Sequence, residues 1–359
     1  MYDLIVIGGG PAGTAAAITA ARAGACALLL ERGRFPRHKV CGEFVSAESL
    51  SVLAQLLDGN SDSLLAGSPR IPRARVFIDE QVLETTVDPP AASIARFDLD
   101  DALWRSAERV GVDARQQVTV QSVRGSGPFQ VSTSAGTYES RALINASGRW
   151  SNLTSRAAEE SKKKWLGLKA HFAEHSPELS VDLYFFENGY CGVQPVTSGQ
   201  INACAMVRAD VASNLNDVFA LHQTLRERSN RWTPLTDPVS TSPLIFRDPH
   251  PEQDGMLMVG DAAGFIDPFV GDGISLALRS GTLAAECLNA FLLQQSSLAD
   301  AIHRYRQAYT QSLLPIFRAS STIRRALRFP RPIRRPLLRL LKRTPAVTRY
   351  FVTRTRQAS

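Results

Sequence analysis

The first 31 residues constrain the fold of this chain more than any other stretch. An apolar run over 2–7 passes directly into the glycine-rich turn 8–13, and an alanine-rich segment follows over 14–23. A second apolar run covers 26–30 and ends at Glu31. This order predicts a strand, a tight turn, a helix and a second, parallel strand, which together form the βαβ unit of dinucleotide-binding sheets.

The residue types within this unit suit a dinucleotide. Gly8 allows a tight turn, Gly10 lets the backbone approach a diphosphate, and Gly13 lets the helix pack closely on the strand. The start of the helix attracts negative charge through its unpaired N–H groups and its dipole. Glu31 lies 18 residues after Gly13 and can accept hydrogen bonds from ribose hydroxyls. We therefore expect a dinucleotide site, which these residues alone do not assign to FAD or to NAD.

A second stretch favours FAD. The apolar segment 256–259 ends at Gly260-Asp261, and the glycine loop 271–273 precedes a predicted helix over 275–293. A carboxylate at a strand end beside such a loop can bond the ribityl hydroxyls of a flavin, and the N–H groups at the helix start can face a ring carbonyl. A nicotinamide dinucleotide needs neither feature.

The middle of the chain predicts a second domain. From 166 to 207 apolar and polar residues mostly alternate, with turn residues at 187–189 and 197–200, and this pattern indicates an antiparallel sheet. Elsewhere the sequence predicts a connection over 68–75, a helix over 96–107, a strand over 117–123 and a helix over 218–228.

The predicted fold is therefore α/β. A Rossmann-like FAD-binding domain, in which helices cover a parallel sheet, carries an inserted antiparallel-sheet substrate domain and a C-terminal helical tail. We assign 1–75, 96–165 and 247–300 to the FAD-binding domain, 76–95 and 166–246 to the substrate domain, and 301–359 to the basic helical tail.

Composition limits the partners and the location. Thirteen of the 41 Lys and Arg residues lie within 318–359, which contains no Asp or Glu, so the net charge of +7 comes from the tail. No run of 18 apolar residues occurs, and the N-terminus lacks a basic leader, so we expect a cytoplasmic protein. The five cysteines show no paired spacing and are expected to be reduced. His171 and His175 lack further ligands nearby in sequence, so no metal site is expected.

These motifs together resemble the para-hydroxybenzoate hydroxylase superfamily of FAD enzymes, and within it the geranylgeranyl reductase branch. The resemblance covers residues 1 to about 300 and rests on Gly8 to Gly13, Glu31, Cys41-Gly42-Glu43, Arg96-x-x-x-Asp100-x-x-Leu103, Gly260-Asp261 and Gly271-Asp272-Gly273-Ile274. Many relatives have Asp-Gly where this chain has Ser147-Gly148. The branch motif Tyr-x-Trp-x-x-Pro is altered here, because Gly192 replaces the Trp between Tyr190 and Pro195.

The resemblance implies a set of binding residues. The cofactor-binding residues would be Gly8, Gly10, Ala12 and Gly13 at the diphosphate, Glu31 and Arg32 at the ribose, Cys41, Gly42 and Phe44 at the flavin, Arg96 at the phosphates, Val120 at the adenine, Asp261 at the ribityl chain, and Gly273 and Ile274 at the ring carbonyl edge. Tyr190 and Gln194 would bind substrate. The loop 32–43 leaves the strand at the cofactor end, so we expect its basic residues to contact FAD as well. No catalytic acid or base can be named.

The expected function is that of an FAD-dependent oxidoreductase, a reductase of a double bond in a small apolar metabolite or lipid, with NAD(P)H or a protein electron donor as the reductant. The alternative is a flavin-dependent monooxygenase of an aromatic or polyketide substrate. An RNA-binding flavoprotein is a remote alternative, because the basic tail has no RNA-binding fold signature and no nucleic-acid partner is expected. We expect residues 316–343, in which leucines and arginines interleave, to make peripheral contact with a membrane surface or else to pack on the substrate domain as a lid.

Overall fold

A computed structural model describes residues 1–57, 61–149, 153, 164–265 and 267–327 of the chain. The strands are β1 (Tyr2–Ile7), β2 (Ala27–Glu31), β3 (Phe44–Val45), β4 (Arg70–Ile78), β5 (Gln81–Ser93), β6 (Asp113–Gln116), β7 (Val120–Arg124), β8 (Phe129–Thr133), β9 (Gly136–Asn145), β10 (Trp165–Ala173), β11 (Ser180–Phe186), β12 (Gly189–Thr197), β13 (Gln200–Arg208), β14 (Thr233–Pro234), β15 (Val239–Thr241), β16 (Glu252–Gln253) and β17 (Met256–Met258). The α-helices are α1 (Pro11–Arg22), α2 (Ala47–Leu57), α3 (Ser61–Ala66), α4 (Arg96–Arg109), α5 (Leu215–Ala220), α6 (Gln223–Ser229), α7 (Gly273–Leu292), α8 (Leu298–Ser312) and α9 (Leu314–Leu327).

The first sheet is the predicted Rossmann-like one. Its strands run in the order β16-β17-β9-β1-β2-β6, with β1 parallel to both β2 and β9. Strand β8 pairs antiparallel with β9, and β7 pairs antiparallel with β8. Leu4 to Ile7 are buried throughout, as expected for a strand covered on both faces. Helix α7 crosses α1 very closely, since a Cβ on Gly281 would lie 2.0 Å from the Ala12 carbonyl oxygen. The α/β prediction is confirmed.

The second sheet is the predicted antiparallel one. Its order is β14-β10-β13-β12-β11-β4-β5-β3, with β15 also on β10. The pairings are antiparallel except that β11 runs parallel to β4. One face of this sheet packs with α5 and α6 in a separate apolar core, which includes Phe172, Val218 and Phe219. The other face turns toward the first sheet.

Two local predictions were wrong, and one strand was not predicted. The connection expected over 68–75 is mostly β4, whose pairing register with β5 shifts between Ile71 and Arg73, so Pro72, a residue without a backbone donor, lies at the irregularity. This sheet therefore begins near 70 rather than at 76. Strand β6 was missed because its sequence, Asp-Ala-Arg-Gln, has no apolar pattern at the sheet edge. The single helix expected over 218–228 is two helices, separated where His222 adopts an extended backbone.

The chain ends, as far as it is described, in two helices. Ser297 and Asp300 form a capping box at the start of α8. In α9, Ile316 and Phe317 are buried in the core of the first sheet, so these two residues face neither a membrane nor the substrate domain. The rest of the stretch from 328 to 343 lies outside the described residues. None of the helices in the described ranges is both long and apolar enough to span a bilayer.

Candidate functional site

A cavity of about 910 Å³ lies between the two sheets. It is bordered by the ends of β1 and β9, by the start of α7 and by the inner face of the second sheet. Its lining includes the following residues predicted from the sequence: Gly8, Gly10, Ala12, Glu31, Arg32, Cys41, Gly42, Phe44, Arg96, Val120, Tyr190, Gln194, Asp261, Gly273 and Ile274. Gly13 is the exception. It lies behind the lining, where an added Cβ would be 1.8 Å from the Gly8 carbonyl oxygen, so its position serves the packing of helix on strand.

Two cations face the glycine turn at the start of α1. A Cβ built on Gly10 would have only Lys39 Nζ, at 3.9 Å, and Arg96 Nη2, at 4.0 Å, within contact distance. The backbone of Gly10 therefore borders open space between the helix start and these two side chains. A diphosphate suits this position, because both the helix N-terminus and the cations attract it.

One buried carboxylate orients both cations. Asp100 accepts hydrogen bonds from Arg96 Nε and Nη2, each at 2.8 Å, and its Oδ2 lies 3.1 Å from Lys39 Nζ. Burial alone would raise the pKa of Asp100, but Arg96 and Lys39 outweigh burial and lower it, so the carboxylate is ionised. The cluster carries two positive charges and one negative charge, and the surplus can meet a phosphate.

Glu31 is fixed at the neighbouring corner of the cavity. Its Oε2 accepts a hydrogen bond from the Gly9 N–H at 2.8 Å, and its Oε1 accepts from the Gly33 N–H and from Arg37 Nη2, both at 2.8 Å. Each carboxylate oxygen has more than one lone pair, so capacity remains for ribose hydroxyls. Glu31 thus occupies the place at which the sequence pattern expects it to serve a nucleotide.

The start of α7 forms the opposite wall. Gly271 has a left-handed backbone (φ 80°), and an added Cβ would lie 2.9 Å from Cδ1 of Phe44. A Cβ on Gly273 would meet no atom within 4 Å. Desolvation raises the pKa of Asp261, an effect that Arg149 partly offsets with Nε 3.6 Å from Oδ2. The glycine turn with its two cations, Glu31 and this open helix start fit the successive parts of FAD.

The loop that carries Cys41 is held from the second sheet by a set of contacts that the sequence did not reveal. Glu43, at a left-handed φ of 62° and fully buried, lies 2.9 Å from Lys169 Nζ and 2.7 Å from His171 Nε2. It also accepts a hydrogen bond from the Arg96 backbone N–H at 2.9 Å. We call Glu43, Lys169 and His171 the interdomain clamp. Its only sequence signal is the spacing of Lys169 and His171, which places both on one face of β10.

The surroundings favour an ionised Glu43 and a neutral Cys41 thiol. Burial alone would raise the pKa of Glu43, but His171 and Lys169 lower it overall. Burial raises the pKa of the Cys41 thiol, which keeps it protonated at neutral pH. His175 is exposed while His171 is buried. Within the described residues, no group of three metal-ligating side chains comes together.

The far end of the cavity is apolar. Tyr190, Met206, Leu244 and Phe265 form a buried group, which we call the aromatic cluster, and all four line the cavity. The Tyr190 hydroxyl is buried beside the Asp267 carboxyl, and burial together with this neighbour raises the pKa of Tyr190. Gln194 donates to Ser93 Oγ at 2.7 Å, so both side chains predicted to bind substrate already have a polar neighbour. A Cβ on Gly192 would lie 3.3 Å from Cδ2 of Leu183, a close contact, so a larger side chain at this position of the wall would crowd Leu183.

Comparisons with known proteins find an FAD-dependent family at the start of the chain, and the relatives include reductases and a receptor. The family described as FAD dependent oxidoreductase matches residues 3–47. Conditioned medium factor receptor 1 of Dictyostelium discoideum is 24% identical over 92% of this chain and 72% of its own length. Menaquinone reductase of Mycobacterium tuberculosis is 26% identical (80% and 76%), and digeranylgeranylglycerophospholipid reductase 2 of Methanopyrus kandleri is 25% identical (88% and 84%).

Solved structures share the fold. The flavin-dependent brominase Bmp2 superposes with a TM-score of 0.81 at 21% identity and covers 99% of this chain and 93% of its own. A geranylgeranyl bacteriochlorophyll reductase-like protein of Thermoplasma acidophilum gives a TM-score of 0.72 at 20% identity, with coverages of 91% and 87%. Reductases and halogenases thus use the same architecture.

Proposed function

We propose, on the premise that this chain is an FAD-dependent oxidoreductase with geranylgeranyl reductase-like relatives, that it reduces a double bond in an apolar metabolite or lipid. The observation that carries the proposal is the continuity of the cavity. One space of about 910 Å³ runs from the glycine turn to the aromatic cluster, so a bound flavin and an apolar substrate would share it.

Different residues of the cavity would bind the cofactor and the substrate. Bound FAD would supply the hydride chemistry. Gly10, Lys39 and Arg96 would hold its diphosphate, and Glu31 and Asp261 would accept hydrogen bonds from its hydroxyls. The aromatic cluster would position the hydrocarbon of the substrate and exclude water. NAD(P)H or a protein donor would deliver the electrons.

Two relatives guide the choice of substrates for a test. By their names, one acts on menaquinone and another on a digeranylgeranyl lipid, and both compounds combine a long prenyl chain with a polar part. The FAD-loaded protein should be photoreduced without oxygen and mixed with a menaquinone or with a geranylgeranyl lipid. We expect flavin reoxidation and a product heavier by about two mass units, as flavin hydride transfer requires.

A matched variant makes the test specific. Gly192 lines the cavity, so Gly192→Leu should crowd Leu183 and fill part of the apolar end. The variant should retain FAD and lose turnover of the apolar substrate. Turnover that requires oxygen and places an oxygen atom in the product would establish the monooxygenase instead. Turnover that requires halide would establish a halogenase.

A further inference from the structure

Arg149 enters the cavity from the turn that follows β9. Asn145, the last residue of β9, accepts a hydrogen bond from the Ser147 N–H at 3.0 Å through its side-chain Oδ1. Gly148 has a left-handed backbone, with φ 79°. These two features turn the chain at the strand end, and Arg149 then lines the cavity. Its position is therefore set by local backbone geometry.

The Arg149 guanidinium is largely enclosed but poorly bonded. Its Cζ lies 4.2 Å from the ring centroid of Phe265, a member of the aromatic cluster, and its side chain is only 18% exposed. Its one charged neighbour in the described structure, Asp261, lies 3.6 Å away, which is beyond hydrogen-bond distance. A guanidinium has five N–H donors, and no Arg149 nitrogen is among the fully buried atoms without a partner, so its donors face the open cavity that the side chain lines. This arrangement suits a ligand that supplies acceptors.

Other charged residues of the cavity already have close partners. Arg37 bonds Glu31, Arg96 bonds Asp100, and Lys39 pairs with the same Asp100. Arg32 lies exposed at the nucleotide end. Arg149 differs from these residues because it lies between Asp261 and the aromatic cluster, where an apolar substrate would end and the flavin residues begin.

We infer that Arg149 binds the oxyanion head group, a carboxylate or phosphate, of an apolar substrate whose hydrocarbon lies on the aromatic cluster. The planar guanidinium matches either oxyanion through two parallel hydrogen bonds. The Phe265 ring lies against the guanidinium, with its centroid 4.2 Å from Cζ, and limits the freedom of the side chain, so little side-chain entropy is lost when the ligand binds. The inference rests on the proposed function, since it names the substrate class of the same site.

Binding of two probes with the same chain tests the inference without turnover. Geranylgeranoic acid and geranylgeraniol differ only in the head group, and their binding to the FAD-loaded protein can be followed by flavin absorbance. Arg149→Gln should weaken binding of the acid about ten- to a hundredfold, as expected when a charged hydrogen bond is lost. Binding of the alcohol should stay within about twofold, and Arg149→Lys should restore part of the affinity for the acid. Arg105→Gln, on the exposed side of α4, is the matched control and should change neither.

The experiment distinguishes failure of this inference from failure of the proposed function. If Arg149→Gln weakens both probes equally, or neither, the inference is wrong while an apolar substrate remains supported. If the variant loses FAD affinity in a direct titration and binds both probes normally once loaded, Arg149 serves the cofactor and the inference is also wrong. If the wild-type protein binds neither probe and reduces no apolar substrate, the inference and the proposed function both fail.

Discussion

Replacement of Lys169 by methionine should destabilise the protein through the interdomain clamp. The side chains of Lys169 and Glu43 are 1% and 0% exposed, so the substitution leaves a buried carboxylate without its cation. Breaking a buried pair from one side typically costs about 3–5 kcal/mol. His171 and the Arg96 backbone N–H still bond Glu43, so we expect Lys169→Met to lower the free energy of unfolding by about 3 kcal/mol, the lower end of that range.

Urea unfolding of the FAD-loaded protein, at one fixed concentration of free FAD, measures this loss. The double variant Glu43→Gln/Lys169→Met removes both charges and should regain at least half of it, because neutral replacement of a whole buried pair is often tolerated. Arg105→Ala is the control, since the exposed Arg105–Asp101 pair should contribute less than about 1 kcal/mol. A loss below about 1 kcal/mol for Lys169→Met, or strictly additive losses in the double variant, would refute the clamp.

The clamp also predicts a pH dependence. The pKa of Glu43 is lowered in the folded protein from an ordinary value of 4.5. The ionised carboxylate therefore contributes stability above about pH 4.5, and this contribution is lost as the pH falls through the folded pKa. The difference in unfolding free energy between wild type and Glu43→Gln should shrink on acidification below pH 4.5. If the difference in unfolding free energy stays constant down to about pH 3, the carboxylate of Glu43 is not ionised in the folded protein.

Three further predictions concern the packing of α7, the cofactor site and the basic tail. Gly281→Ala should unfold or strongly destabilise the protein in a thermal melt, because the added Cβ would lie 2.0 Å from the Ala12 carbonyl oxygen. Gly273→Ala is the control and should melt like wild type, because its added Cβ would meet no atom within 4 Å. Asp261→Ala should bind FAD about ten- to a hundredfold more weakly in a fluorescence titration, and full occupancy would remove Asp261 from the site. Full-length protein should sediment with anionic but not neutral vesicles, because basic residues contribute about 1 kcal/mol each near anionic lipid. Truncation after Leu327 should abolish this binding. Full-length protein that stays in the supernatant with anionic vesicles at low salt would contradict the membrane proposal.

The sequence was sufficient for the nucleotide half of the fold because that half depends on local patterns. Gly8 allows the tight turn, Gly10 lets the backbone approach a diphosphate, and Gly13 lets the helix pack on the strand. All three lie within six consecutive residues. The start of α7 behaves likewise, since Gly271 must adopt a positive φ next to Phe44. Each such position restricts the residue type by itself, and this restriction is visible in a single sequence.

The sequence was insufficient where function depends on side chains that are distant in sequence. Lys39 and Asp100 look like a loop cation and a helix N-terminal acid, and only the folded chain brings them to 3.1 Å. Lys169 looks like an ordinary strand residue until Glu43 is placed against it. Arg149 follows a strand end, and nothing in its neighbourhood in sequence indicates that Phe265 will lie beneath it. Hydrophobic periodicity shows which face of a helix or strand a residue occupies, but it does not show which distant residue that side chain contacts.

The interdomain clamp and the cluster formed by Asp100, Arg96 and Lys39 both involve α4 and the loop 38–43. Asp100 from α4 holds Lys39 of that loop, and Glu43 of the same loop is held by Lys169 from the second sheet. The Arg96 backbone N–H joins the two, because it donates to Glu43 while its side chain bonds Asp100. An unbroken series of ion pairs and hydrogen bonds therefore runs from Lys169 on the second sheet, through Glu43 and Arg96, to Asp100 and Lys39 beside the glycine turn.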